Sequence, residues 1–536
     1  MISRRSFLRS APLLLAACRP SVRAPGHAAR AIRITLQARV ARPGREIVSF
    51  GVPMPPGMVA DARQIGVRAD DGTPIEAAVT VLERWPQAGH TVRSARVQLA
   101  IDLHGQSARA VDVILDDAAP ARPPGPSPAV SPVDAKGPSV WALLPATWLC
   151  DSLVAGPQVP AERSGPYRDY DAFVDRQFDG SLKYIASGVY QEWLFDRTTC
   201  WYKMYVRTGE LKFLAAAHEA AHFVLDHTML SGPDAGAFTL KDAVDPKYVY
   251  PRAMHLHYLL TGDERMRDAG VAMANLHLRT LDPVYDPTAY VQPPANTDPE
   301  RTRQFWSPRQ QAYGLLGVLH GWELTGEPAF RDKARACIDA YHAHQTHPPD
   351  GLPSDGSWRQ NWALYDPSEA TYPGATSAWM TAILLDALFH EWTISRDPRI
   401  PQMVTRWCDF LDRRGFVPDG SSAYYVVDCL SPEPAGQVGP DMFLHNMEIA
   451  YTFAMGIFFT SDPGAEVRYR KRFATAFRRA LTVDLNETGR SYNWAFQASS
   501  QLVYFVMNPG RGVAAAARRD RGLVTRSLRI SSTRGR

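Results

Sequence analysis

Between residues 31 and 115 apolar and polar positions alternate with period two. Ile32-Arg-Ile-Thr-Leu-Gln-Ala-Arg-Val is the clearest case. Side chains of a strand point to opposite faces in turn, so this pattern predicts half-buried strands. Val48-Ser-Phe-Gly-Val-Pro, Ile65-Gly-Val-Arg-Ala, Ile75-Glu-Ala-Ala-Val-Thr-Val-Leu and Val92-Arg-Ser-Ala-Arg-Val-Gln-Leu-Ala-Ile read the same way, with Asp70-Asp71-Gly72 as a hairpin turn. The expectation is a small β-barrel or sandwich over 31–117. A Pro-rich linker follows over 118–139, then a segment over 140–186 that braces the β module.

The period changes near residue 187. Five times an apolar, aromatic-rich helical stretch ends in a short turn and a charged helical stretch follows. The turns are Arg207-Thr-Gly-Glu, Leu260-Thr-Gly-Asp, Leu324-Thr-Gly-Glu, Ser395-Arg-Asp-Pro and Thr460-Ser-Asp-Pro. Gly ends one helix and an acid begins the next at its positive end. Leading helices that are apolar all round must be inner ones. Repetition at intervals of roughly 55–70 residues predicts an α/α toroid. The leading stretches begin near Gly188, Pro246, Ser307, Gly374, Pro440 and Ser491, and the sixth has no outer partner after it. The fold class is therefore α+β multidomain, a small N-terminal β-barrel or sandwich followed by an (α/α)6 toroid over 187–508.

Charge and cysteines narrow the picture. The formal charge is +4, but 510–536 holds eight Arg and one Asp, which leaves the rest near −3. A basic footprint for nucleic acid is not expected on the folded body, and the tail over 509–536 reads as disordered. The six Cys, at 18, 150, 200, 337, 408 and 429, show no ligand spacing and read as buried free thiols. At the start, Ser3-Arg4-Arg5-Ser6-Phe7-Leu8 and the apolar run to Ala17 resemble a twin-arginine export signal over 1–18. Leu15-Ala16-Ala17-Cys18 resembles a lipobox. That resemblance implies a lipidated Cys18 and a periplasmic or envelope-anchored protein.

Three stretches carry a family resemblance. Phe50-Gly-Val-Pro-Met-Pro-Pro-Gly, Asp71-Gly-Thr-Pro-Ile and Leu82-Glu-Arg-Trp-Pro-Gln-Ala-Gly-His-Thr-Val-Arg are similar to the N-terminal barrel of the exo-rhamnogalacturonan lyase/YetA-like family. The family's Trp-Pro-Asp-Gly-Ser turn is altered here to Trp85-Pro86-Gln87-Ala88-Gly89-His90, without the Asp and one residue longer. The resemblance implies a carbohydrate-active partner domain.

Candidate chemistry gathers at the leading ends of the inner helices. The loop 347–377 is too polar and too rich in Pro and Gly for a helix, yet it holds Trp358, Trp362, Asp366, Glu369 and Tyr372. Aromatic faces beside carboxylates suit sugar rings and hydroxyls. The first inner helix offers Tyr190, Glu192, Asp196 and Arg197, the second Arg252, and the third Trp306, Arg309 and Gln310. The fifth offers His445 and Asn446. A uronate lyase would use Arg309, Arg252 or Asn446 to neutralise the sugar carboxylate, with His445 or Tyr372 as base or acid. A hydrolase would set Glu192 or Asp196 against Asp366 or Glu369. Trp306, Trp358, Trp362, Arg252, Gln310, Asn446, Tyr190 and Arg197 would bind substrate. The substrate expected is a polysaccharide or oligosaccharide. The preferred expectation is a uronate-type polysaccharide lyase acting by β-elimination, because the resembled family is one of lyases and His, Arg and Tyr gather at the helix ends. A glycoside hydrolase using two carboxylates and a non-catalytic glycan-binding lipoprotein are the alternatives.

One motif points elsewhere. His218-Glu219-Ala220-Ala221-His222 spells a zinc-protease motif. The equivalent positions after the next two Thr-Gly turns, Val271-Ala-Met-Ala-Asn and Arg335-Ala-Cys-Ile-Asp, have no ligand character. A downstream third His is missing too: Thr stands at 228 and His227 is one place off. The expectation is ordinary helix packing, with no metal and no cofactor.

Overall fold

The computed structural model describes residues 31–39, 45–86, 89–103, 105–115, 134–281, 307–348, 354–359, 375–439, 442–485 and 489–512. The signal-like segment 1–18, most of the linker and the tail beyond Gly512 lie outside them. Among the described residues no helix is long and apolar enough to cross a membrane.

The N-terminal strands are β1 (Ala31–Ala38), β2 (Arg45–Pro53), β3 (Ile65–Ala69), β4 (Pro74–Ile75), β5 (Ala77–Arg84), β6 (Val92–Asp102), β7 (Ala108–Leu115) and β8 (Val140–Leu143). They form two antiparallel sheets, in the orders β4-β3-β7-β1-β8 and β2-β6-β5. Two separate sheets make this a sandwich, not a closed barrel. The alternation in β1 buries Ile32, Ile34 and Leu36 and exposes the residues between. In β6 nearly every position is buried, because its second face lies on the helices. Gly51 makes that approach possible: a Cβ there would stand 2.1 Å from the carbonyl oxygen of Leu259.

The helices are α1 (Ala146–Asp151), α2 (Arg168–Ser181), α3 (Arg197–Thr208), α4 (Leu211–Asp226), α5 (Pro251–Thr261), α6 (Glu264–Thr280) and α7 (Pro308–Thr325). They continue with α8 (Pro328–Thr346), α9 (Ala378–Ser395), α10 (Arg399–Arg414), α11 (Asn446–Phe459), α12 (Pro463–Ala480), α13 (Gly489–Phe496) and α14 (Leu502–Met507). Contacts run α3 to α5 to α7 to α9 to α11, then to α13 and α14, and α13 returns to α3. The inner ring is closed. Every residue of α11 is buried, as an inner helix requires.

The sixth inner helix does have a partner, and it comes from the opposite end of the sequence. α2 packs on α13. Tyr170 bonds Ser499 at 3.1 Å, and Gln177 accepts the Leu485 N–H at 3.0 Å. The segment 140–186, expected only to brace the β module, therefore supplies the outer helix that completes the toroid. The turns follow their expected chemistry. Gly209, Gly262 and Gly326 are left-handed and close their helices on the carbonyls of Tyr205, Tyr258 and Trp322. Of the acids that follow, Asp263 and Asp462 cap through the side chain, whereas Glu210 and Glu327 do not.

The sheet β2-β6-β5 seals one end of the toroid. Ser94 donates to the Leu259 carbonyl at 2.6 Å and Tyr258 to that of Leu82 at 3.1 Å. Beside them lies a buried charge cluster. Arg93 pairs with Glu83 at 2.6 Å and with Glu323 of α7 at 3.0 Å. His255 bonds Glu83 at 2.6 Å, and Glu323 also meets His320 and His390, each at 3.2 Å. Glu83 and Trp85 belong to the stretch that carries the family resemblance, and Arg93 lies over the Trp85 ring. In this chain that stretch is a docking device. It covers the C-terminal ends of α5 and α7, so the chemistry has to be sought where the inner helices begin.

Candidate active site

The N-terminal ends of the inner helices bring one ring of side chains together. Asp196 caps α3, accepting the Thr199 N–H at 3.1 Å. Phe195, before it, donates its backbone N–H to the Tyr250 hydroxyl oxygen, just before α5, at 2.9 Å. Arg309 of α7 lies over the rings of both Phe195 and Trp379. Trp379 of α9 stacks on His445 at 4.3 Å and 11°, and His445 meets Trp494 of α13 at 4.7 Å. Trp494 closes the circle on Phe195 at 5.7 Å. Tyr425, half-buried, flanks Trp379 and His445. Six consecutive inner helices thus contribute to one aromatic and charged cluster, called the basin.

The backbone at Asp196 is unusual. Phe195 and Asp196 are both left-handed, with φ of 77° and 53°. A non-glycine residue pays for this conformation, and two in succession persist only where surrounding contacts enforce them, commonly at functional sites. Asp196 is 3% exposed, and burial raises its pKa to about 6 against the opposing pull of the Thr199 hydrogen bond and Arg252. Asp386, one layer below on α9, behaves in the opposite way. Burial alone would raise it, but Arg252 at 2.7 Å and Lys203 hold it below the ordinary value. Tyr451 donates to its other oxygen at 3.4 Å. Lys203 itself is pushed down to about 8 by burial. Just before α11, His445 Nδ1 lies 3.0 Å from Glu448 in the first turn of that helix, whose carboxyl is raised by burial against the pull of His445. With Nδ1 engaged, Nε2 is the nitrogen left for chemistry.

Asp196, Arg309 and His445 therefore stand where the sequence placed them. Tyr190 and Gln310 are half-buried, Tyr190 against Tyr248 at 5.5 Å. Other expectations need correction. Trp358 is a core residue, not a sugar platform: it is 0% exposed, donates to the Tyr341 carbonyl at 2.9 Å and packs on Trp407 of α10. Arg197 braces the backbone, donating to the carbonyls of Tyr184 and Glu192. Asn446 does the same, donating to the Phe443 carbonyl at 2.6 Å and accepting from Ser422 at 3.3 Å. Arg252 is spent on Asp386 and cannot neutralise a substrate carboxylate. Glu192 is spent as well, because its Oε2 receives the N–H groups of Gly489 and Arg490 at the start of α13. Glu192→Gln is accordingly expected to cost about 0.5–2 kcal/mol, as for loss of a helix cap, read as a lower unfolding midpoint with kcat unchanged. Trp306, Trp362, Asp366, Glu369 and Tyr372 lie outside the described residues.

Trp379, Asp386 and Lys203 were missed. Asp386 had a signal: it is the one acid in the first half of an otherwise apolar stretch, Ala378-Trp-Met-Thr-Ala-Ile-Leu-Leu-Asp. A charge on a helix with no polar face requires a buried partner.

No family model matches the chain, and no curated protein matches it. Solved structures similar to it include unsaturated glucuronyl hydrolase from Streptococcus agalactiae, at 13% identity and a TM-score of 0.42, covering 70% of this chain and 98% of that one. Another is the unsaturated glucuronyl hydrolase of Bacillus sp. GL1, described as responsible for the degradation of glycosaminoglycan, at 15% and 0.36, covering 60% and 85%. A third is cellobiose 2-epimerase from Spirochaeta thermophila DSM 6192, at 13% and 0.37, covering 62% and 86%. Similarities this low assign no residue of the basin, whose chemistry rests on its own geometry.

Proposed function

We propose that this chain is a carbohydrate-active enzyme that cleaves a glycosidic bond, with Asp196 as the proton donor to the leaving oxygen. The observation that carries this reading is the Asp196 carboxyl itself: buried, left-handed, raised to about 6 and set in the aromatic ring of the toroid. A carboxyl raised to about 6 keeps its proton in mildly acidic solution and a fraction of it at neutral pH, which is what general-acid catalysis of glycoside cleavage needs. Half-buried Tyr425 offers a flat face to a sugar ring, with Trp379 and Trp494 packed behind it on His445. His445, oriented by Glu448, is the complementary base and takes the proton of the attacking water.

His445 also supports a second reading. His445 can instead withdraw a carbon-bound proton beside a uronate carboxylate, with Arg309 stabilising the charge that develops. That reaction is elimination, and it leaves a C4–C5 double bond. Incubation with a panel of acidic and neutral oligosaccharides separates the two. The hydrolytic reading predicts new reducing ends without ultraviolet absorbance. Reducing ends that rise in step with absorbance would replace it with elimination. Binding without either signal would leave a non-catalytic glycan receptor. Export through the signal-like start, and a lipid on Cys18, belong to the same proposal: such an enzyme would meet its substrate outside the cytoplasm.

A further inference from the structure

The motif His218-Glu-Ala-Ala-His222 on α4 lacks a third ligand in its own helix, but the fold supplies one from the next. His257 of α5 turns toward the same point. Ring centroids are 4.4 Å apart for His218 and His222, 5.0 Å for His218 and His257, and 5.6 Å for His222 and His257. One ring nitrogen from each lies within 4.8 Å of the other two. The three side chains are 1%, 5% and 0% exposed.

Buried nitrogens normally find hydrogen-bond partners. Here His218 Nδ1, His222 Nε2 and His257 Nε2 are all buried and have none. In two of the residues the other nitrogen is occupied. His218 Nε2 lies 3.1 Å from the Asp134 carbonyl, and His257 Nδ1 lies 2.7 Å from the Tyr202 hydroxyl. Each of these bonds fixes a ring so that its remaining nitrogen faces the cluster, which is how metal-ligating imidazoles are commonly held. Burial first, then the neighbouring rings, keep His218 and His257 neutral, and burial does the same for His222. A neutral imidazole is the form that ligates.

We propose that His218, His222 and His257 form a binding site for one divalent zinc-class ion, completed by water, that pins α4 to α5 beside the β module. Imidazole suits zinc, and Zn–N bonds of about 2.0–2.1 Å require the three nitrogens to close in on one another by a small rotation of the rings. The site is structural. Glu219, the base of a zinc protease, is half-buried and forms no part of the group. Asp263, whose charge acts on both His218 and His222, is clamped by Arg265 at 2.6 Å and 3.0 Å. The His218 ring also meets Trp141 of β8 edge-on at 5.4 Å, so the ion would join an outer helix, an inner helix and the sandwich. A second close group, His255, His320 and Glu323, is not a cation site, because the Arg93 guanidinium already occupies the Glu323 carboxylate.

The test uses the full chain without a polyhistidine tag, stripped with a chelator and then given zinc sulfate alone. The expected result is one equivalent of zinc held through dialysis, with a higher unfolding midpoint. Cobalt in its place should give the visible band of a tetrahedral site with nitrogen ligands. His222→Gln and His257→Gln should each release the metal, while Glu219→Gln should retain it. Tyr202→Phe, which removes only the bond that orients His257, should weaken zinc about 10- to 100-fold. It also keeps the test decisive if a His variant fails to fold. Less than stoichiometric zinc after dialysis would overturn the proposal, as would an equivalent that survives in both folded His variants or an affinity that Tyr202→Phe leaves unmoved.

Discussion

Asp196→Asn should lower turnover by about 100- to 10,000-fold, the usual range for loss of a general acid. The substitution is chosen so that the fold does not change. Asn caps a helix about as well as Asp and tolerates the left-handed conformation, so the Thr199 bond and the φ of 53° at position 196 survive. Stability should move the other way. The folded pKa of Asp196 is about 6 against an ordinary 3.8. A group raised on folding favours the folded state below its unfolded pKa, and that advantage is lost as pH rises to the folded value. The wild type therefore carries a penalty that builds from pH 3.8 and is complete above pH 6, amounting to about 3 kcal/mol from the two values. Asn carries none. The variant should be the more stable protein at pH 7 and should match the wild type near pH 4, as read from denaturant midpoints. A variant equally impaired in rate and stability at pH 7 would mean that Asp196 is only a structural cap.

The second large effect concerns the seal between the sandwich and the toroid. Arg93→Met keeps most of the volume and leaves Glu83 and Glu323 facing each other, both within 9% exposure. Breaking a buried pair strands uncompensated charge, and about 3–5 kcal/mol of stability should be lost. Glu323→Gln added to Arg93→Met should recover part of that loss, because one stranded charge is removed. His255, His320 and His390 also face the cluster and will redistribute their protons when Arg93 is gone. Chemical unfolding midpoints measure both variants. Additivity of the two substitutions would show that the charges do not interact.

The architecture was readable because it is written in local rules. Alternation marked the strands, Thr-Gly turns ended the helices, and the spacing of the pairs implied a ring. The closing helix was not readable as such: α2 precedes the first inner helix, and nothing local to 168–181 says that it will pack on α13. The same limit explains the site. The position of Asp196 and His445 at one end of the ring was legible because they begin inner helices, and the ring geometry follows from the repeat. Trp358 and Asn446 share that end of the chain's repeats, but composition cannot tell a ring that faces a cleft from one that fills the space behind it. The left-handed pair Phe195-Asp196 has no sequence mark, since neither residue is the glycine that such a backbone normally demands. His257 shows the limit most plainly. It lies 35 positions after His222 on a neighbouring helix, so a search for a third ligand along the motif's own spacing had to miss it.

The role of Asp196 is tested most directly by varying the leaving group. With the sugar identified by the substrate panel, wild type and Asp196→Asn are compared on a series of aryl glycosides of falling leaving-group pKa. If Asp196 protonates the departing oxygen, the deficit of the variant should shrink steadily along the series and nearly vanish for the most acidic phenol. A deficit of the same size on every member would contradict the account.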